Sequence, residues 1–87
     1  SSGTTVTFDK KGKALYFSKA LIPYNRDEMQ TDRIIYRHIG LYGYRAETLQ
    51  QLSLLPEGVF EKSEKLEQLR ALENGISIQV VPVDYRG

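Results

Sequence analysis

The spacing of apolar residues changes along this chain from two in its first half to three in its second. Val6 and Phe8, and then Leu15 and Phe17, alternate with other residues, as in strands that bury one face. In 49–55 and again in 66–72, leucines recur every three residues, which is typical of one face of a helix. A chain of 87 residues buries only about 64% of its unfolded surface. Strands and helices must therefore share one small core.

Three strands are predicted ahead of the helices. Thr5–Phe8 and Lys13–Ser18 form a β-hairpin, because Gly12 can take the positive φ that closes a tight turn. The third strand runs from Ile34 to Tyr44, and Gly40 within it suggests a bulge or a ligand close to the backbone. The polar stretch 25–33 between the hairpin and the third strand is predicted to be an exposed loop.

Two helices and a final strand follow. The first helix covers Ala46–Leu55 and stops before Pro56, whereas the second runs without interruption to Asn74 and ends at Gly75. Alternating apolar residues then predict a last strand, at Ile76, Ile78 and Val80. Because a hairpin is combined with a helical crossover, we expect an α/β or α+β fold with a mixed sheet.

Composition excludes several function classes. The chain has no Cys and a single His, so it offers neither a thiol nucleophile nor the usual zinc ligand sets. Its net charge of +1 is too small to drive binding to nucleic acid or to an anionic membrane. It contains no long apolar stretch, and a cytoplasmic location is expected. Ser1–Gly3 is interpreted as an expression remnant, and residues 4–87 are interpreted as a single domain or a fragment of one.

A few side chains could carry chemistry, although each also has a structural interpretation. His38 and Tyr42 share one face of the third strand, about 13 Å apart. A hydrogen-bonded structural histidine is the commoner reason for such a placement. Glu67 lies opposite the leucine stripe of the second helix, with Gln68 to one side, so a solvent position and an ion pair with Arg70 are expected. The pattern alone assigns no catalytic residue.

Three blocks of sequence carry a family resemblance. They are Ala14–Lys19 with Ile22–Tyr24, then Arg37–Arg45, then Leu66–Gly75. In this order they resemble 3-deoxy-manno-octulosonate (Kdo) cytidylyltransferases, also called CMP-Kdo synthetases. The resemblance implies a fragment of a nucleotidyltransferase fold, from an enzyme that joins Kdo to CTP in the cytoplasm for lipopolysaccharide synthesis.

The resemblance also implies which residues contact the sugar acid. These are His38 and Tyr42 from the strand and Glu67 and Gln68 from the helix, which replaces the solvent interpretation of Glu67. Their hydroxyl, imidazole, amide and carboxylate groups suit a ligand with a carboxylate and several hydroxyls. Where the family usually has Arg, this chain has Lys19, which keeps the charge but loses the bidentate fork.

Self-association and catalysis are further expectations from the resemblance. The family dimerises through this region, so Leu21, Ile22 and Tyr24 are expected to form a homodimer interface. These 87 residues contain no counterpart of the family's nucleotide loop or of its metal-binding Asp residues. Magnesium is therefore expected only in the full-length enzyme, and this chain is expected to be inactive alone. The alternative is a non-enzymatic interaction or assembly module built on the same scaffold.

Overall fold

A computed structural model describes residues 3–27, 34–38 and 46–83. Within these ranges the strands precede the helices, and the α/β or α+β class is confirmed. The elements are β1 (Thr5–Phe8), β2 (Ala14–Ser18), β3 (Tyr36–Arg37), α1 (Ala46–Ser53), α2 (Val59–Glu64) and α3 (Gln68–Glu73).

The predicted hairpin is confirmed. β1 pairs with β2 in antiparallel register, Val6 opposite Phe17. Gly12 closes the turn at φ 86°, and a Cβ there would collide with Gln79 and Val80. The Asp9 carboxylate accepts hydrogen bonds from backbone N–H groups of the turn residues that follow it. Local chemistry is therefore enough to form this part of the fold.

The sheet has the order β2-β1-β3, and β3 is also antiparallel to β1. A mixed sheet is expected from the sequence, but every strand pair in the described residues is antiparallel. Of the predicted strand Ile34–Tyr44, the structure describes 34–38 and forms a strand only at Tyr36–Arg37. Residues 39–44 lie outside the described ranges.

The predicted final strand is wrong in extent. It is reduced to one antiparallel bridge between Lys13 and Gln79. Two backbone hydrogen bonds flank it, from Ala14 N–H to the Ile78 carbonyl (2.8 Å) and from Val80 N–H to the Gly12 carbonyl (2.6 Å). These partners are the hairpin turn and the first residue of β2, so the pairing does not continue along β2.

The second predicted helix is interrupted. α2 ends at Glu64, Lys65 adopts a left-handed conformation (φ 58°), and α3 begins only at Gln68. This break lets Leu66 enter the core, where it is 5% exposed. It also lets the Glu64 carboxylate reach β2. The first helix is as predicted at its start but ends two residues early, at Ser53.

The core joins the sheet to the last helix. Phe17 and Leu69 are each 1% exposed and belong to one apolar cluster. The cluster consists of Val6, Ala14, Phe17, Leu66, Leu69, Ala71 and Ile78. None of the helices described here has the length and apolar character needed to cross a membrane.

Candidate functional site

Two of the predicted ligand-contacting residues leave the sheet at the same end. Thr5 of β1 lies opposite Ser18 of β2 on one side and Arg37 of β3 on the other. The next residues outward are Lys19 and His38, and His38 N–H donates to the carbonyl of Thr4, the residue before β1 (2.9 Å). Two strand spacings, about 10 Å, therefore separate the backbones of Lys19 and His38.

His38 is held against the core. Its half-buried ring meets Phe17 edge to face, with the ring centroids 5.4 Å apart and an interplanar angle of 76°. Burial lowers the pKa of His38 below its ordinary value of 6.5. The imidazole is therefore neutral at pH 7, with one nitrogen that donates and one that accepts a hydrogen bond.

The start of α3 is anchored in the core cluster that contains Phe17. Leu66 and Leu69, which flank Glu67 and Gln68, are both buried members of this cluster. Glu67 precedes the helix and is exposed, whereas Gln68 is its first residue and is half-buried. The strand and helix residues of the predicted site therefore adjoin the same apolar cluster. The fifth predicted contact, Tyr42, lies outside the described residues.

A carboxylate that the sequence did not single out binds the residues leading into Lys19. Glu64 Oε1 accepts a hydrogen bond from Lys19 N–H (3.0 Å), and Oε2 accepts from the hydroxyls of Ser18 (2.9 Å) and Tyr16 (3.2 Å). These bonds, the one from Lys19 foremost, lower the pKa of Glu64 against the opposing effect of burial. Burial, followed by the Glu64 charge, raises the pKa of Tyr16.

Thr5 holds the other side of the same segment. Its hydroxyl donates to the Ala20 carbonyl (2.7 Å) and accepts from Ile22 N–H (3.3 Å). Of the predicted dimer residues, Leu21 is 51% exposed, Tyr24 is 85% exposed and Ile22 is half-buried. Partly buried hydrogen bonds therefore hold a segment that has two exposed apolar side chains.

A buried ion pair joins the two short helices. Arg70 donates through Nε to Glu61 Oε1 (2.8 Å) and through an Nη to Glu61 Oε2 (2.6 Å). Only 2% of the Glu61 side chain is exposed. Glu73 in turn accepts from the Phe60 and Glu61 N–H groups at the start of α2. The expected pairing of Arg70 with Glu67 is therefore wrong, because the break after α2 brings Glu61 to Arg70.

Comparison with known proteins assigns the family. Residues 1–78 match the family model described as Cytidylyltransferase. The chain belongs to this family. A 3-deoxy-manno-octulosonate cytidylyltransferase of Maricaulis maris (strain MCS10) is 56% identical over 87 residues, which are 100% of this chain and 33% of the relative. Its counterpart in Pelodictyon phaeoclathratiforme (strain DSM 5477 / BU-1) is 53% identical over 76 residues, 87% of this chain and 30% of the relative.

A solved structure is also similar to this cytidylyltransferase chain. It is CMP:2-keto-3-deoxy-manno-octonic acid synthetase complexed with CTP, with a TM-score of 0.83 and 41% sequence identity, and the match covers 94% of this chain and 33% of that one. The resemblance to CMP-Kdo synthetases is therefore confirmed. The chain spans about a third of the length of these relatives.

Metal-binding potential can be judged from the described donor groups. Nowhere in 3–27, 34–38 and 46–83 do three or more His, Asp or Glu side chains cluster in a way that could hold a metal ion. Glu61, Glu64 and Glu73 already accept hydrogen bonds through both carboxylate oxygens. These residues do not fit a magnesium site.

Proposed function

We propose that this chain is the sugar-acid-binding segment of a cytidylyltransferase that couples Kdo to CTP for lipopolysaccharide synthesis. The observation that carries the proposal is the common position of Lys19 and His38 at one end of the sheet. Glu67 and Gln68 lie between two leucines of the apolar cluster that also contains Phe17, the residue that His38 contacts. The names of the relatives supply the substrate class, a keto-deoxy sugar acid with CTP as its co-substrate.

Each residue has a role that suits its chemistry. The Lys19 ammonium pairs with the sugar carboxylate as a point charge. The N–H of the neutral His38 and the Gln68 amide donate to sugar oxygens, and the Glu67 carboxylate accepts from sugar hydroxyls. Tyr42 contributes a further hydroxyl. CTP and magnesium are bound by parts of the full-length enzyme beyond these residues, so the chain alone transfers no cytidylyl group.

Homodimerisation is the second part of the proposal. The exposed Leu21 and Tyr24, with Ile22 between them, form an apolar patch on a segment that Thr5 holds in place. A small domain gains stability when such a patch is buried against a second copy. The patch also favours the alternative function, an assembly module without ligand binding.

Binding of Kdo to the isolated chain tests the proposal against this alternative. We expect a dissociation constant in the millimolar range, about −4 kcal/mol, because the nucleotide-side contacts are missing. Saturation-transfer NMR should detect Kdo, whereas mannose, which lacks the carboxylate, should give no signal. Mixed with CTP, magnesium and Kdo, the chain should release no diphosphate.

Substitutions provide the matched controls. His38→Ala and Gln68→Ala should abolish the Kdo signal, and Lys19→Ala should weaken it. Lys62→Ala removes an exposed lysine from α2 and should leave binding unchanged. Equal binding by all four variants would refute the assignment of the site, and self-association without any Kdo binding would favour the assembly module.

A further inference from the structure

Glu64 occupies a position that its own helix does not favour. It is the last residue of α2, where the partial negative charge of the helix end disfavours a carboxylate. Lys65 then reverses the backbone into the left-handed conformation. The side chain of Glu64 instead forms its hydrogen bonds with β2, more than forty residues earlier in the chain. The hydrogen-bond partners of Glu64 in and just after β2 therefore explain its position better than α2 does.

Besides the Tyr16 hydroxyl, Glu64 binds groups at the end of β2 that lead into Lys19. It binds the Lys19 N–H and the hydroxyl of Ser18, which also accepts from Ala20 N–H (3.0 Å). From the other side, Thr5 binds Ala20 and Ile22. The backbone is therefore held on both sides of Lys19, whose own side chain is exposed.

We propose that Glu64 is a positioning residue that fixes the backbone of Lys19 so that its ammonium meets the carboxylate of the sugar acid. This assignment rests on the function proposed above. Lysine has a long flexible side chain and a point charge, so a fixed backbone reduces the freedom it must lose when it binds an anion.

The sign of the effect separates positioning from simple electrostatics. The Glu64 carboxylate is negative, and so is the ligand. If Glu64 acted through its charge alone, its removal would strengthen the binding of an anionic sugar. If it positions Lys19, its removal weakens binding, and it does so only while Lys19 is present.

A double-mutant cycle on the 87-residue chain measures this coupling. Kdo dissociation constants are obtained by NMR titration for wild type, Glu64→Ala, Lys19→Ala and the double variant. We expect Glu64→Ala to weaken binding about three- to tenfold when Lys19 is present and less than about twofold in the Lys19→Ala background. Glu57→Gln removes an exposed negative charge just before α2 and serves as the control, with unchanged affinity.

Glu64→Gln keeps the test valid if the alanine variant does not fold. Its amide oxygen can still accept from Lys19 N–H, so it should bind Kdo better than Glu64→Ala despite having lost the charge. Hydrogen exchange at the Lys19 amide should be slow in wild type, intermediate in Glu64→Gln and fast in Glu64→Ala.

Each contrary outcome has a distinct meaning. Equal or tighter Kdo binding by both Glu64 variants, with wild type binding, overturns the positioning role alone. An equal loss in the wild-type and Lys19→Ala backgrounds also overturns it, because Glu64 would then only stabilise the fold. If wild type does not bind Kdo while the Lys19 amide is protected as expected, the proposed function fails, and the role of Glu64 toward this ligand fails with it.

Discussion

Phe17 connects the stability of the domain to the candidate site. Its ring is 1% exposed, packs in the central cluster and meets the His38 ring edge to face. Phe17→Ala removes these contacts and leaves a cavity, a change that costs about 3–5 kcal/mol in well-packed cores. An 87-residue domain has a total unfolding free energy of about 4–13 kcal/mol. The variant should therefore lose a large share of its stability.

Urea unfolding followed by circular dichroism measures this loss. With a slope of about 1–3 kcal/mol per molar urea, the midpoint of Phe17→Ala should fall by at least about 1 M. Leu15→Ala is the matched control, because Leu15 is an apolar residue of the same strand with 59% of its surface exposed. It should cost less than about 1 kcal/mol.

The result that would refute this reasoning is a small loss at Phe17. If Phe17→Ala and Leu15→Ala lowered the urea midpoint equally, Phe17 would not be the centre of the core. The support that it gives to His38 would then also be in doubt. Where the variant still folds, the pKa of His38 should rise toward 6.5, since the ring would be less buried.

Three further predictions follow from the ionic and apolar contacts. Arg70→Met leaves the buried Glu61 carboxylate without its partner. The pKa of Glu61, which the bond from Arg70 holds below 4.5, should therefore rise. Wild type should lose unfolding free energy as the pH falls below 4.5, and urea unfolding across that range should show a smaller loss in the variant. An NMR titration should give His38 a pKa below 6.5, and a pKa above 6.5 would contradict its burial. Because the unfolded state binds the proton more tightly, the contribution of His38 to the unfolding free energy should be fully present above pH 6.5 and should decrease as the pH falls. Ile22→Asp should dissociate the proposed dimer in sedimentation equilibrium, whereas Leu54→Asp, at a residue just after α1 that is 84% exposed, should not.

Elements built from neighbouring residues could be predicted from the sequence. The hairpin depends on Gly12, on the Asp9 side chain and on the alternation of β1 and β2, all between residues 5 and 18. The helical character of α1 and α3 follows from leucine spacing in the same way. Local rules are sufficient where the hydrogen-bonding partners are close in sequence.

The helix break could not be predicted, because its causes are distant contacts. No glycine or proline lies within residues 59–74, and most residues around Lys65 are polar, so the pattern favours one helix. The turn is held by Glu64, which binds residues of β2, and by Glu61, which binds Arg70 across the interruption. Neither partner can be recognised from spacing within a helix.

The candidate site was predicted only in part for the same reason. Family motifs marked His38, Glu67, Gln68 and Lys19, but the strand register and the core are needed to relate them to one another. Glu64 lies just ahead of the third block of resemblance and has the appearance of an ordinary charged helix residue. Its role emerges only from its bonds to β2.

The most direct test of the central claim is an amide NMR map of Kdo binding on the isotopically labelled chain. Shifts should concentrate at residues 36–44 and 64–70 and at Lys19, with a dissociation constant in the millimolar range, about −4 kcal/mol. Shifts confined to residues 25–33, or no shifts at about ten millimolar Kdo, would contradict the proposed function. The family's residues would then be present in this chain without forming a sugar-acid site.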